Sequence, residues 1–156
     1  AKAGWSTPAP EGRARGIACC TDSGTVVSQV AESQQALRMA PRIGALVPAR
    51  DSATGRVLLP FLSPDRQVEL LGEPPDAKFR ALLDACRSAG YAASSEVNAP
   101  AMTIAAPVFE VEGRPIGVVA ISGPAERMPS DSHARLAELV REAAARLSDG
   151  SPQTGP

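Results

Sequence analysis

The feature that most constrains this chain is an apolar hairpin in its second half. Residues 116–121 (IGVVAI) are almost continuously apolar, and residues 102–111 (MTIAAPVFEV) form a longer partner strand. The connection between them (EGRP) carries Gly113 in the turn. A strand apolar at nearly every position is covered on both faces or lies centrally in its sheet. Alternation puts Met102, Ile104 and Ala106 on one face of the longer strand, and Ala101, Thr103 and Ala105 on the other. The residues alone leave open which face is inward.

Other segments assemble around this hairpin. Residues 16–21 and 25–31 read as an earlier pair of strands about an Asp22-Ser23-Gly24 turn. Residues 42–48 suit a third strand or an extended entry, and residues 91–95 a short strand. Residues 52–62 read as a helix capped by Asp51 or Ser52, with Pro60 forcing a kink or an early stop. Residues 64–71 suit a short helix with Ser63 as cap and Pro64 in the first position. Residues 76–89 form the clearest helix: Phe79, Leu82, Leu83 and Cys86 share one face, and Gly90 ends it. A final helix spans 130–147, capped by Ser130 or Asp131, with Leu136, Leu139, Val140 and Leu147 on one side. Strands, helices, strands and a last helix in that order predict an α+β fold on an antiparallel sheet. Residues 1–15 read as a lead-in, 16–147 as the domain and 148–156 as a disordered tail.

Composition excludes several functions. The net charge is −1, without the concentrated Lys and Arg that phosphate binding needs, so this chain alone should bind DNA poorly. Aromatics are 3 %, so few side chains are available to stack on bases. No apolar run reaches membrane-spanning length and no signal-peptide layout is present, which predicts a soluble cytoplasmic protein. Cys19 and Cys20 are adjacent, Cys86 stands alone, and no Cys or His spacing suggests a metal site.

Enzyme signatures are also missing: no GxGxxG after a strand, no GxxxxGK[ST], no GxSxG. No cofactor, catalytic residue or metal ligand is assigned. His133 reads as a surface residue near a helix start, and Glu110 and Glu112 as solvent-facing residues beside the turn. Glu96 either pairs with an arginine, points into a cavity or faces water. The small residues Ala53, Thr54 and Gly55 at a helix start let a ligand approach unpaired amides; the plainer reading is an ordinary capped helix. Thr103 and Ser122, on facing strands, either satisfy neighbouring backbone or line a polar spot.

The segment GYAASSEVNAPAMTIAAPVFEVEGRPIGVVAISGP, with Arg127 just after it, resembles the effector-binding domain of IclR-type transcription regulators. The stretch RIGALVPARDSATGRVLLPFLS resembles that family's Gly-x-x-x-Pro segment and the Gly-Arg-x-Leu-Leu helix after it, and GIACCTDSGTVVSQVAES its first hairpin. The likeness covers about residues 16–147. It implies a GAF-like fold, a central antiparallel sheet with helices on both sides, and a pocket for a small organic acid or aromatic effector. It implies effector-binding positions at Ala53, Thr54, Gly55, Ser94, Glu96, Met102, Thr103, Ala120 and Ser122. It further implies a homodimer or homotetramer that meets DNA through a winged-helix module not present in this chain. This chain is then an excised domain or one that never had that module. Four positions depart from the family: Pro60 for a usual Ala, Pro100 for a common Gly, Ser94 near a frequent acid, and Ala120 where a second Ser occurs. The last three touch the pocket and suggest a less polar ligand or a lost one. Two alternatives stand beside a sensor: a cysteine enzyme on a GAF scaffold, like methionine sulfoxide reductase, and a dimerisation module with a degenerate pocket.

Overall fold

The computed structural model describes residues 14–21, 24–31, 44, 46–95 and 101–148, of which 14–31 are described in backbone only. The strands are β1 (Ala14–Thr21), β2 (Gly24–Ala31), β3 (Leu46–Val47), β4 (Ala92–Ser95), β5 (Ala101–Phe109) and β6 (Pro115–Pro124). They form one sheet in the order β3-β2-β1-β6-β5-β4, and every described pairing is antiparallel. The apolar strand β6 lies between β1 and β5, the interior place that its composition requires.

The β5–β6 register shows how the hairpin is covered. Thr103 pairs with Ser122, Ile104 with Ile121, and Ala105 with Ala120. Ile104, Ala106, Val108, Val119 and Ile121 pack against Leu136, Ala137, Val140 and Ala144 of helix α4 (His133–Ser148), with Met128 beneath them. The alternate residues Ala105 and Val118 pack with Ala92 of β4 against helix α1 (Ala53–Leu58) and Cys86 of helix α3 (Ala77–Ala89). Helices therefore cover both faces of the β4–β5–β6 part of the sheet, as a GAF-like arrangement requires.

Local chemistry sets the helix ends. Ser52 caps α1, its hydroxyl accepting from the Gly55 amide at 2.9 Å. Pro60 cannot donate into a continuing helix, so α1 stops at Leu58 and the chain tightens into a 3-10 turn at Leu59–Phe61. Helix α2 (Pro64–Leu71) starts on Ser63 with Pro64 in its first turn. Asp76 caps α3 through the Phe79 amide at 2.8 Å, and Gly90 ends it at φ +73°, where a side chain would be strained.

Several expectations need correction. Leu82 and Leu139 are 39 % and 47 % exposed, because Ala137 and Ala144 take the inner stripe of α4 and Leu82 lies off the stripe of Phe79, Leu83 and Cys86. The last helix begins at His133, after a 3-10 turn at Ser130–Ser132 that has no side-chain cap. His133 is half-buried, with its Nε2 2.9 Å from the Met128 carbonyl oxygen. The third strand shrinks to Leu46–Val47, and residues 42, 43 and 45 lie outside the described ones. Strand β1 begins at Ala14, inside the segment read as a lead-in.

Candidate functional site

Three hydroxyls form a row across the sheet. Ser94 of β4 is in register with Thr103 of β5, which is in register with Ser122 of β6. Side chains two residues apart on a strand share a face, so this row lies on the same face as Ala92, Ala105 and Ala120. The Thr103 and Ser122 hydroxyl oxygens are 2.8 Å apart, so one donates to the other. Thr103 is buried and Ser122 half-buried. The neighbouring row, Ala92, Ala105 and Ala120, continues to Gly16 of β1. A sheet face made of alanines and hydroxyls lets a helix or a guest molecule come close.

Helix α1 stands over this face. The Ser94 hydroxyl accepts from the Ala53 amide at 2.8 Å, which anchors the start of α1 at the hydroxyl row. One turn on, Val57 and Leu58 pack on Ala92, Ala105 and Val118. At about 100° per residue, Thr54 lies between Val57 and Leu58 in the view down the helix axis, so it also faces the sheet. Thr54 is only 7 % exposed. Among the described residues no hydrogen bond engages its hydroxyl or its amide.

The remaining amides of this helix start are occupied. Ala53 donates to Ser94, Gly55 to the Ser52 hydroxyl, and Arg56 to the Ser52 carbonyl at 3.0 Å. The Ser52 hydroxyl in turn donates to the Pro48 carbonyl. Gly55 does not leave room for a ligand. A Cβ there would fall 2.2 Å from the Ala49 carbonyl oxygen, so its bare Cα admits the incoming chain.

The structure thus brings together Ala53, Thr54, Ser94, Thr103, Ala120 and Ser122, whereas Gly55 faces the Ala49 backbone. It does not bring Met102 to them: that side chain packs with the α4 core on the opposite face. Glu96 lies outside the described residues. Sequence reasoning missed Ala92 and Ala105, whose small size fixes how close α1 can come, and the Ser94–Ala53 bond. Ser94 opposite Thr103 on paired strands was the available signal.

The other reactive residues stand apart. Cys86 is buried beneath α1, and burial raises the pKa of its thiol although the Arg56 charge opposes this. Such a thiol is a poor nucleophile. Side chains of Cys19 and Cys20 lie outside the described residues. Glu110 and Glu112 pair with Arg114 at the hairpin turn. Among the described residues no group of three or more His, Cys, Asp and Glu residues is placed to hold a metal ion, and no helix is long and apolar enough to cross a membrane. An open groove of about 710 Å³ lies elsewhere, bounded by Phe61, Arg87, Phe109, Arg141 and Ser148. It follows β5 past the end of β4, where Pro107 has no N–H and the Phe109 N–H donates to the Ser148 hydroxyl at 2.9 Å. That strand edge is closed to a further strand.

Comparison with known proteins follows the same outline. Residues 17–149 match the family model described as bacterial transcriptional regulator IclR C-terminal. A curated relative, the HTH-type transcriptional repressor AllR of Klebsiella pneumoniae, is 28 % identical over 129 residues, which are 75 % of this chain and 47 % of that protein. The chain spans about half the length of the curated relatives it matches. The crystal structure of Pseudomonas aeruginosa HmgR superposes with a TM-score of 0.81 at 25 % identity, covering 93 % of this chain and 62 % of that one. The PobR inducer-binding domain from Acinetobacter, a double mutant in complex with 3-hydroxybenzoic acid, has the same fold (TM-score 0.73, 24 % identity, 86 % of this chain and 87 % of that one).

Proposed function

Since the chain belongs to the family of IclR-type transcriptional regulator C-terminal domains, we propose that it senses a small organic effector, an organic acid or an aromatic compound, between α1 and the β4–β5–β6 face. The observation that carries this reading is Thr54: a buried threonine hydroxyl without a partner among the described residues, on the helix anchored at the Ser94–Thr103–Ser122 row. Burying such a group has a cost that only a partner offsets, and a bound effector is that partner. The 3-hydroxybenzoic acid held by the PobR domain supports a guest of this size.

Effector binding would favour one arrangement of a homodimer or homotetramer. That arrangement would reposition the winged-helix modules of a full-length cytoplasmic regulator on DNA. This chain takes no chemical step in that scheme, and the buried Cys86 gives the cysteine-enzyme alternative no support. The Ala53 and Gly55 amides, each already bonded within the chain, favour the second alternative, a dimerisation module with a closed pocket.

Thermal unfolding against a panel of small organic acids and aromatics separates the two. A ligand at 100 times its dissociation constant stabilises the fold by about 2.7 kcal/mol. A shift that Thr103→Val lowers is the expected result. No shift with any compound favours the closed module.

A further inference from the structure

We infer that the open groove along β5, past the end of β4, is a second binding site, one for an aromatic carboxylate, separate from the α1 face and independent of the reading given to that face. Its volume of about 710 Å³ is within the range of small-molecule pockets, roughly 300–1,000 Å³. The strand edge at its base turns away an extended peptide, since Pro107 has no N–H and the Phe109 N–H is held by Ser148. The occupant is therefore a compact molecule.

The lining sets its chemistry. Phe61 ends the 3-10 turn after α1 and Phe109 ends β5. Their rings meet edge to face, with centroids 4.9 Å apart and planes at 75°. Both are half-buried, so each keeps ring surface for a guest ring, which packs on such a pair in the same manner. The Arg87 guanidinium lies 5.1 Å from the Phe61 centroid, and its one hydrogen bond among the described residues is a long one, 3.4 Å to the Pro60 carbonyl. Arg141 reaches in from α4 across Gly90, whose bare Cα makes room: a Cβ there would fall 3.3 Å from Arg141 Nε. Gly90 closes α3, so this cation sits by the carbonyl end of a helix, which favours it. Among the described residues no hydrogen bond or ion pair engages Arg141. Two carboxylates also line the groove, Glu138 and Glu142, and neither pairs with Arg87 or Arg141 among the described residues. At about 100° per residue, both turn farther than Arg141 from the buried line of Val140 and Ala144, which puts them at the outer rim. The inner part of the groove is cationic and aromatic, the match of a ring that bears one carboxylate.

The test is NMR titration of the isotope-labelled chain with benzoate, beside benzamide (the ring without the charge) and acetate (the charge without the ring). The expected result is saturable shifts of the Gly90, Phe109 and Arg141 amides with benzoate, and binding about fivefold weaker for each of the other two. Arg141→Gln, at an exposed position and checked by unliganded thermal unfolding, should weaken benzoate about fivefold. Thr103→Val, on the α1 face, should leave the groove shifts unchanged. Benzamide that binds the groove as tightly as benzoate overturns the proposal, because the arginines then play no part. Benzoate shifts confined to α1 and β4–β5, weakened by T103V and not by R141Q, overturn the groove site and leave the sensor reading standing. Shifts that never saturate, or no shifts, overturn the groove site alone, since the α1 face is tested by its own ligand panel.

Discussion

The two faces of the β5–β6 hairpin are made by alternate residues of the same strands, yet they differ in kind. Toward α4 the strands present Ile104, Val108, Val119 and Ile121, large side chains that interlock with Leu136, Val140 and Met128. Toward α1 they present Thr103, Ala105, Ala120 and Ser122, small side chains, two of them hydroxylated. The first face is built for stability, since dense apolar packing is what large residues do best. The second gives up apolar area and keeps polar groups, a choice that stability alone does not explain. One set of strands thus supplies both the support and the candidate site, and the residue period of two keeps them separate.

Ile104→Ala should break the comparison most severely on its stable side. Ile104 is fully buried in the α4-facing core, so truncation leaves a cavity and should cost about 2–5 kcal/mol in chemical denaturation. Ala105→Leu, one residue along, tests the other face. It crowds α1 and should cost about 1–3 kcal/mol while removing any effector response. Equal losses of stability from Ile104→Ala and Ile104→Val would show that this face is not tightly packed.

Gly55→Ala comes next. Its new Cβ would overlap the Ala49 backbone, which cannot rotate away as a side chain can. We expect a loss of about 1–3 kcal/mol and a displaced α1, seen as faster amide exchange in residues 53–58. An unchanged exchange pattern would mean that the 49–55 approach is looser than described.

Which parts of this arrangement the chain announces in advance follows from the range of the interactions. The cap at Ser63, Ser52 as one of two candidate caps, the stop at Gly90 and both hairpins were legible, because each is decided by residues within a few positions, while Asp76 was counted into the helix that it caps. The family resemblance supplied the layering. Leu82 and Leu139 were misjudged because three- and four-residue spacing marks a stripe wider than the contact, and alanines can fill the inner line. The face of Met102 could not be read, since both faces of β5 are buried and hydropathy does not distinguish them. Gly55 was read as a ligand approach because nothing local shows that Ala49 folds back onto it.

Ser94→Ala sharpens the comparison at a smaller scale. It leaves the Ala53 amide buried without an acceptor, and should cost about 1–3 kcal/mol in urea unfolding. Ser52→Ala, which removes only the cap on Gly55, should cost about 1 kcal/mol. If Ser94→Ala proved the milder of the two, the link between α1 and the hydroxyl row would be weaker than its 2.8 Å geometry implies.

Thr54→Val carries the smallest expected change and the most informative sign. Valine keeps the branched shape of threonine and removes a hydroxyl that has no partner among the described residues. At Ser94 and Ser52, loss of a polar contact should destabilise. Here the unliganded domain should be unchanged or gain up to about 1 kcal/mol, because an unsatisfied buried group disappears. Effector binding should weaken in the same variant. That pair of outcomes would mark Thr54 as kept for a ligand, as expected where function opposes stability. If Thr54→Val instead destabilised the empty domain by more than about 1 kcal/mol, its hydroxyl would be serving the fold, and the α1 face would be a second core with a few polar atoms in it.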